Sequence, residues 1–460
     1  MDKKIKDEWD RINKLWDDIT ELKSYRAFED ILDGIVLEDF QTADLMRSLF
    51  FRKFIFSYDT GLGKTLMACA WMKMLKRENP KRRFVMFVKK SQLAQTPRKI
   101  QQATGFKVTT TTGENSELVK NIFRKDLTNY DVVIMTHSCL SNPSAMLELY
   151  KYRDSFSGII IDEAHEVSNL QGSKSAISAF SLVGYYDYAL ALTATPMKIN
   201  TSELVNLMYI INRRAVPDLK TCEGILMSDG IQKFKDIIVV RTRKDLGIAS
   251  VYVPKVHLIK PTKEQMGASG KQLFLTTKGE GAIPQVTELI RIIKEYIPRK
   301  GIVYIHQHAI REFVERELDK AGVKYVSAHG KTKRQDLKQI CDDFNNNKYS
   351  VLLTSLTDSL DLDCDYCVFY EYTVRFKQLI GRAERGLNPK TLYIHYLFTE
   401  YTDEPEYFYR NVYTRSLLTQ TVLGQDASYI IDAMEMAKKH KSDSTIEKEE
   451  EQFIELEVFD

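Results

Sequence analysis

The residues with the plainest chemical potential are Gly61-Leu62-Gly63-Lys64-Thr65, which put two glycines, a cation and a hydroxyl within five positions. They follow a β-rich apolar run, Phe54–Ser57, and precede a helical run, Leu66–Leu75. Strand, glycine loop and helix N-terminus are the parts of a phosphate-binding loop. Glycines let main-chain N–H groups close around phosphate oxygens, and the helix dipole favours the negative charge. Lys64 is placed to reach the outer phosphates, and Thr65 to ligate magnesium. The full pattern has another glycine four residues before Gly61, where this chain has Ser57. A second signal is Gly158-Ile159-Ile160-Ile161-Asp162-Glu163-Ala164-His165, an apolar strand that ends in two acids. Asp162 at the strand end suits a magnesium ion held through water, and Glu163 suits the orientation and deprotonation of an attacking water. A chance turn and a solvated acidic turn are the plain alternatives, and the two signals together outweigh both.

These residues need a scaffold, and the chain supplies short strands alternating with helices. The first half contains Phe54–Ser57, Phe84–Val88, Val132–Met135, Gly158–Ile161 and Ala189–Thr193. The second contains Ile302–Ile305, Tyr325–Ala328, Val351–Thr354, Tyr366–Tyr370 and Leu392–Leu397. Nearly continuous apolar strands between helices predict parallel sheets covered on both faces, hence two α/β domains. Segment 213–300 is less regular and carries Pro217, Pro254, Pro261 and Pro284, with a hinge expected near 246–255. Ile5, Trp9, Ile12, Trp16 and Ile19 form an apolar seam at helical spacing, which predicts an amphipathic helix over 3–24.

Further motifs give these parts a family. The sequence resembles the superfamily 2 helicases and translocases, which clamp ATP between two RecA-like domains. Leu37-Glu38-Asp39-Phe40-Gln41 matches the adenine-reading motif, which implies that Gln41 reads the base. Asp162-Glu163-Ala164-His165 stands as an Asp-Glu-Ala-His box. Leu192-Thr193-Ala194-Thr195-Pro196 matches the motif that couples hydrolysis to domain movement, so the resemblance gives His165, Thr193 and Thr195 coupling roles. Gln378-Leu379-Ile380-Gly381-Arg382-Ala383-Glu384-Arg385 matches the final motif. It implies that Gln378 lies near the nucleotide and that Arg382 and Arg385 face the phosphates, where cations stabilise transition-state charge.

Within that superfamily the sequence is most similar to the Swi/Snf-like double-stranded DNA translocases. The similarity rests on Glu203–Asn212, on Val240-Arg241-Thr242-Arg243-Lys244-Asp245-Leu246 with Val253-Pro254-Lys255, on His329-Gly330 and on Asp343-Phe344-Asn345. The resemblance spans about residues 36–400. Thr354–Leu362 lacks the glycines usual in that group, although Asp361 keeps the expected acid at the nucleotide site. Only about 45 residues separate Pro254 from Gly301, too few for the large helical insertions of the group. The reading is a stripped-down motor rather than a chromatin remodeller. The expected organisation is a helical segment at 1–35, an ATP-binding RecA-like domain at 36–245, a second at 246–425, and a C-terminal helix with acidic tail at 426–460.

Nucleic-acid contacts are expected where strands end: Lys89, Lys90 and Ser91 after Phe84–Val88, and Thr136 and His137 after Val132–Met135. Arg241, Arg243 and Lys244 are further candidates, and each competes with the ordinary reading of a solvated charge. Phosphate recognition needs bases and small hydroxyls along a groove, and nothing points to base-specific readout. The expected function is ATP-dependent movement on duplex or branched DNA with ATP and Mg2+ as cofactors, in DNA replication, repair or recombination. An RNA helicase of the same superfamily, or a nucleotide-dependent clamp without movement, is the alternative.

Composition fits a soluble motor: 43% hydrophobic, 28% charged, 66 basic and 63 acidic residues for a net charge of +3. Residues 447–460 carry seven acids and one base, net −6, which leaves +9 on the rest. Residues 73–107 hold eleven bases and one acid, an asymmetry expected of a nucleic-acid binder. The tail reads as a solvated run, as a strand that docks a protein partner or sheet edge through Ile454, Leu456 and Val458, or as a DNA mimic. Six scattered cysteines indicate a reducing compartment, and Cys364 and Cys367 lack the second pair that zinc needs. With a charged N-terminus and no long apolar run, no membrane association is expected, and the expected location is the cytoplasm of a bacterial or phage-infected cell.

Overall fold

The computed structural model describes residues 34–442 apart from 94, 113–115, 171, 198–199, 217, 264, 266–282, 357–359, 361, 374–375, 384–388, 401–403 and 425–426. The amphipathic segment 3–24 and the acidic tail lie outside the described residues. The chain divides into two compact units, Met1–Arg241 and Thr242–Asp460. Each is built on one all-parallel sheet flanked by helices, as the strand pattern predicts. Among the described residues no helix is long and apolar enough to cross a membrane.

The first unit carries β1 (Lys53–Tyr58), β2 (Phe84–Val88), β3 (Val108–Thr111), β4 (Val132–Thr136), β5 (Gly158–Asp162), β6 (Tyr188–Thr193) and β7 (Ile238–Arg241). Their order across the sheet is β3-β4-β2-β5-β6-β1-β7. Helix α1 (Asp39–Phe51) precedes β1, and α2 (Lys64–Glu78) follows it. Met67, Ala68, Trp71, Met72 and Leu75 recur at helical spacing and bury the inner stripe of α2. The Trp71 ring lies 5.8 Å from Phe84 of β2, so the helix is pinned over the sheet. The expected helix at Glu203–Asn212 is present as α3 (Thr201–Ile211).

The second unit carries β8 (Val251–Ile259), β9 (Gly301–Tyr304), β10 (Tyr325–Ala328), β11 (Val351–Thr354), β12 (Tyr366–Phe369) and β13 (Thr391–Thr399), ordered β10-β11-β9-β12-β13-β8. Alternate residues of each strand face opposite cores, as the pleat requires. Val303, Val351, Leu353, Tyr366 and Val368 pack under α4 (Pro284–Tyr296) and α5 (His308–Lys320). Ile302, Tyr304, Leu352, Cys367 and Phe369 pack under α6 (Arg334–Asn345), α7 (Phe376–Ala383) and α8 (Ser428–Ser442). The hinge expected near 246–255 overlaps β8, the edge strand that pairs only with β13. Pro254 is tolerated there because an edge strand leaves one side of its ladder unbonded. All six cysteines are buried free thiols.

Candidate active site

The phosphate loop is Asp59–Gly63, between the end of β1 and the start of α2. Ser57, at the position of the missing glycine, is buried inside β1, so the loop begins only at Asp59. Gly61 and Gly63 adopt φ of 88° and 85°, the left-handed region that L side chains rarely enter. Gly63 is also the N-cap of α2, which has no side-chain cap, so the first-turn N–H groups point into the loop. Space is a second constraint. A Cβ on Gly63 would lie 2.6 Å from Nε2 of Gln41.

Gln41 is buried on the first turn of α1, where its Oε1 accepts from the Glu38 N–H at 2.9 Å and caps that helix. Its Nε2 donates to the Leu62 carbonyl at 3.1 Å. Lys64 Nζ donates to the carbonyls of Tyr58 at 2.8 Å and Asp59 at 3.4 Å, so the lysine folds back over its own loop. Thr65 follows as the second residue of α2 and is partly exposed.

Asp162 ends β5 and is 4% exposed. Burial and the neighbouring Glu163 carboxylate push its pKa up, against the field of Lys64 and the Glu163 N–H that it accepts at 2.9 Å. Lys64 and Asp162 therefore feel each other across β6, which separates β1 from β5. Glu163 has φ of 49°, an uncommon conformation for a side chain of this size that turns the chain sharply off the strand. Strain of this kind collects at functional sites.

His165 collects the neighbouring groups. Its Nδ1 lies 2.9 Å from Thr193 Oγ1, 3.3 Å from Thr195 Oγ1 and 3.4 Å from Glu163 Oε2. Its Nε2 lies 3.1 Å from Glu166 Oε1, which also pairs with Lys89 Nζ at 3.1 Å. Thr195 N–H donates to Thr193 Oγ1 at 3.1 Å. One imidazole thus joins the acid after β5 to the hydroxyls at and just beyond the end of β6.

Other predicted residues are placed less favourably. Thr136 is 1% exposed with its hydroxyl 2.7 Å from Ser138 Oγ, so it presents no surface to a phosphate backbone. Arg243 is 5% exposed, too buried for such a contact. Arg241 makes two hydrogen bonds to Asp44, at 2.8 and 2.7 Å. Thr136 and Arg243 are therefore corrected to internal residues, because position near a strand end does not guarantee exposure, whereas Arg241, with its side chain 28% exposed, is held by Asp44. Burial holds His137 down at a pKa of about 4. Lys90 and Lys244 are exposed and Ser91 is partly so. Gln378 and Arg382 sit on α7, and only their backbone is described. Asp361 and Arg385 lie outside the described residues. Sequence reasoning missed Asp44 and Tyr58. The spacing of Asp44 three residues after Gln41 on one helix was the available signal.

Two family models match the chain. One, described as "Type III restriction enzyme, res subunit", matches residues 26–198. The other, "Helicase conserved C-terminal domain", matches residues 284–386. The chain is 25% identical over 215 residues to the ATP-dependent helicase FUN30 of Saccharomyces cerevisiae, covering 42% of this chain and 19% of that protein. It is also 25% identical over 152 residues to the ATP-dependent RNA helicase dbp5 of Botryotinia fuckeliana, covering 32% of this chain and 31% of that protein. The chain thus spans less than a third of either relative. Among solved structures, the Sulfolobus solfataricus SWI2/SNF2 ATPase core in complex with dsDNA aligns with a TM-score of 0.40 at 16% identity, over 88% of this chain and 96% of that one. With a res-subunit match on the unit that bears the phosphate loop and a helicase C-terminal match on the other, the chain belongs to the superfamily 2 helicases and translocases, a family of ATP-hydrolysing enzymes.

Proposed function

We propose that the chain is an ATP-driven motor of Swi/Snf-like type that moves on DNA and remodels duplex or branched strands. The observation that carries the ATPase half is that β1 and β5, both neighbours of β6 in a parallel sheet, bring a loop opened by two left-handed glycines and the strand-end Asp162 to the same end of the sheet. The loop N–H groups and Lys64 hold the phosphates, with Lys64 leaving its loop carbonyls to do so. Gln41 keeps one amide hydrogen and one carbonyl lone pair beyond its two main-chain bonds, the complement of an adenine N6/N7 edge. Glu163 orients the attacking water and takes its proton on a carboxylate oxygen. His165 relays the state of that carboxylate to Thr193 and Thr195. A buried acid whose pKa is raised by an acidic neighbour fits a divalent cation, which relieves both costs. Asp162 and Thr65 would hold magnesium, which when bound neutralises phosphate charge. By the resemblance, Gln378, Asp361, Arg382 and Arg385 take part in nucleotide binding and hydrolysis.

DNA as the track is supported by the Swi/Snf-like motifs and by the basic stretch 73–107, with Lys89, Lys90, Ser91, His137 and Lys244 as the remaining backbone-contact candidates. The deciding experiment measures phosphate release with single-stranded DNA, duplex DNA, forked DNA and RNA over a salt series. Duplex or forked DNA should stimulate most, and the stimulation should fall steeply with salt. RNA stimulating more than every DNA form would replace this reading with an RNA helicase. Nucleotide binding without turnover on any polymer would replace it with a clamp.

A further inference from the structure

Beside the phosphate loop lies a charged cluster centred on the buried Asp44, and the sequence motifs assign no role to Asp44 or to Tyr58. Asp44 is fully buried on α1. Its Oδ2 accepts from the Tyr58 hydroxyl and from Arg241 Nε, both at 2.8 Å, and its Oδ1 accepts from Arg241 Nη2 at 2.7 Å. Arg47 Nη1 stands 3.9 Å from the same Oδ1. Tyr58 is the last residue of β1, and its carbonyl is the one that Lys64 Nζ grips. Arg241 is the register partner of Tyr58 across the sheet, and its carbonyl accepts the Asp59 N–H at 2.9 Å. Helix α1 therefore touches the loop region at two places, through Gln41 to Leu62 and through Asp44 to Tyr58.

We infer that Asp44, Tyr58 and Arg241 are positioning residues for ATP: together they fix the start of the phosphate loop and the carbonyls over which Lys64 moves. This rests on the ATPase reading above and adds residues to it. Arg241 is also the last residue of the first unit, so the chain toward the second unit leaves from the residue that clamps the loop. The start of the loop is held by a bidentate, geometrically exacting pair and one phenol hydroxyl. A plain fold-stabilising cluster would have no reason to select nucleotide affinity. A positioning cluster acts on ground-state capture of the phosphates and leaves the hydrolytic acid untouched.

The test uses the full chain and compares Tyr58→Phe, Arg241→Lys, Arg241→Leu, and the paired Asp44→Leu/Arg241→Leu. Each is measured for ATP dissociation constant, KM, kcat and thermal midpoint. We expect KM and the dissociation constant to rise about tenfold in Arg241→Leu and less in the two conservative variants, with kcat at saturation within about twofold, because the groups that capture the phosphates shift while Glu163 does not. The pair removes the uncompensated charge, so its thermal midpoint should recover while its ATP affinity does not. Recovery of affinity together with the midpoint would reduce the cluster to a stabilising one and overturn the inference. So would unchanged KM in Tyr58→Phe and Arg241→Lys beside a wild type that turns over. A wild type that neither binds nor hydrolyses ATP would instead remove the ATPase reading itself.

Discussion

Replacing Gly63 with alanine tests the phosphate loop by two separable costs. Alanine at φ of 85° pays about 1–2 kcal/mol for the left-handed conformation. Its Cβ would also stand 2.6 Å from Gln41 Nε2, far inside contact distance. Gln41 is the movable partner, so it swings away and loses its 3.1 Å bond to the Leu62 carbonyl. A hydrogen bond of this kind contributes about 0.5–1.5 kcal/mol. The expected total is about 2–3 kcal/mol, or about 5–10 °C in thermal midpoint for a unit of this size. Gly105→Ala serves as the control, because Gly105 has φ of 73° and open space where its Cβ would go. It should show the conformational cost alone, about half as much. The assay is differential scanning fluorimetry on Gly63→Ala, Gly105→Ala, Gln41→Ala and Gly63→Ala/Gln41→Ala, with ATP titrations alongside. Gly63→Ala and Gln41→Ala should be non-additive by about 1 kcal/mol, since the first already breaks the bond that the second removes. Strict additivity, or equal losses for Gly63→Ala and Gly105→Ala, would refute the contact between α1 and the loop. ATP affinity should fall by more than about tenfold in Gly63→Ala and stay unchanged in Gly105→Ala, because the control lies outside the site.

Three further outcomes are expected. Glu163→Gln should keep ATP binding and stop turnover, while Lys64→Ala should lose binding, and separate binding and phosphate-release assays distinguish them. Arg385→Ala should slow hydrolysis by orders of magnitude, toward the ~10³–10⁵ that such arginines contribute, with a modest effect on ATP affinity. A loss below about threefold means the arginine motif is misassigned. The third concerns pH. His395 is buried beside His257 Nε2 at 2.9 Å, and burial with its cationic neighbours holds its pKa down at about 3. The unfolded chain binds that proton near pH 6.5, the folded chain only near 3, so stability is full above 6.5 and is lost as pH falls through that window. The slope is at most about 1.4 kcal/mol per pH unit. Thermal midpoints of His395→Gln should fall less steeply than wild type between pH 6.5 and 4.5, and parallel curves would refute the assignment.

The interior of each sheet was legible because strands buried on both faces carry nearly continuous apolar runs. Phe84–Val88 and Val351–Thr354 coincide with their observed bounds. The three strands that pattern did not reveal, β3, β7 and β8, are all edges. An edge strand faces partners on one side only, so Val108-Thr109-Thr110-Thr111 and a strand containing Pro254 carry no such run. At the site, Lys64 and Asp162 announced themselves through residue type and position. Asp44 did not, because a buried acid on a helix is defined by partners about 14 and 197 residues away in sequence. Thr136 at a strand end and Arg243 just past one show the converse, polar residues that local pattern places on the surface and packing takes inside.

The order of strands in the first sheet has a consequence for how the chain is made. β1 sits between β6 and β7, and Ile55 pairs with Ala191 and Ile238. Its second neighbour therefore emerges 238 − 55 = 183 residues later, roughly 10–40 s at ~5–20 residues per second. For the first 191 − 55 = 136 of those residues Phe54-Ile55-Phe56 waits as an apolar, β-prone segment with no mate, and until Ile238 emerges one side of it stays bare. Slow growth at low temperature, or co-expressed holdase chaperones, should raise recovery of soluble protein more than any buffer chosen for the finished fold. Fragments ending before Ile238 leave one side of that strand bare, and they should aggregate rather than behave as a free-standing nucleotide-binding module.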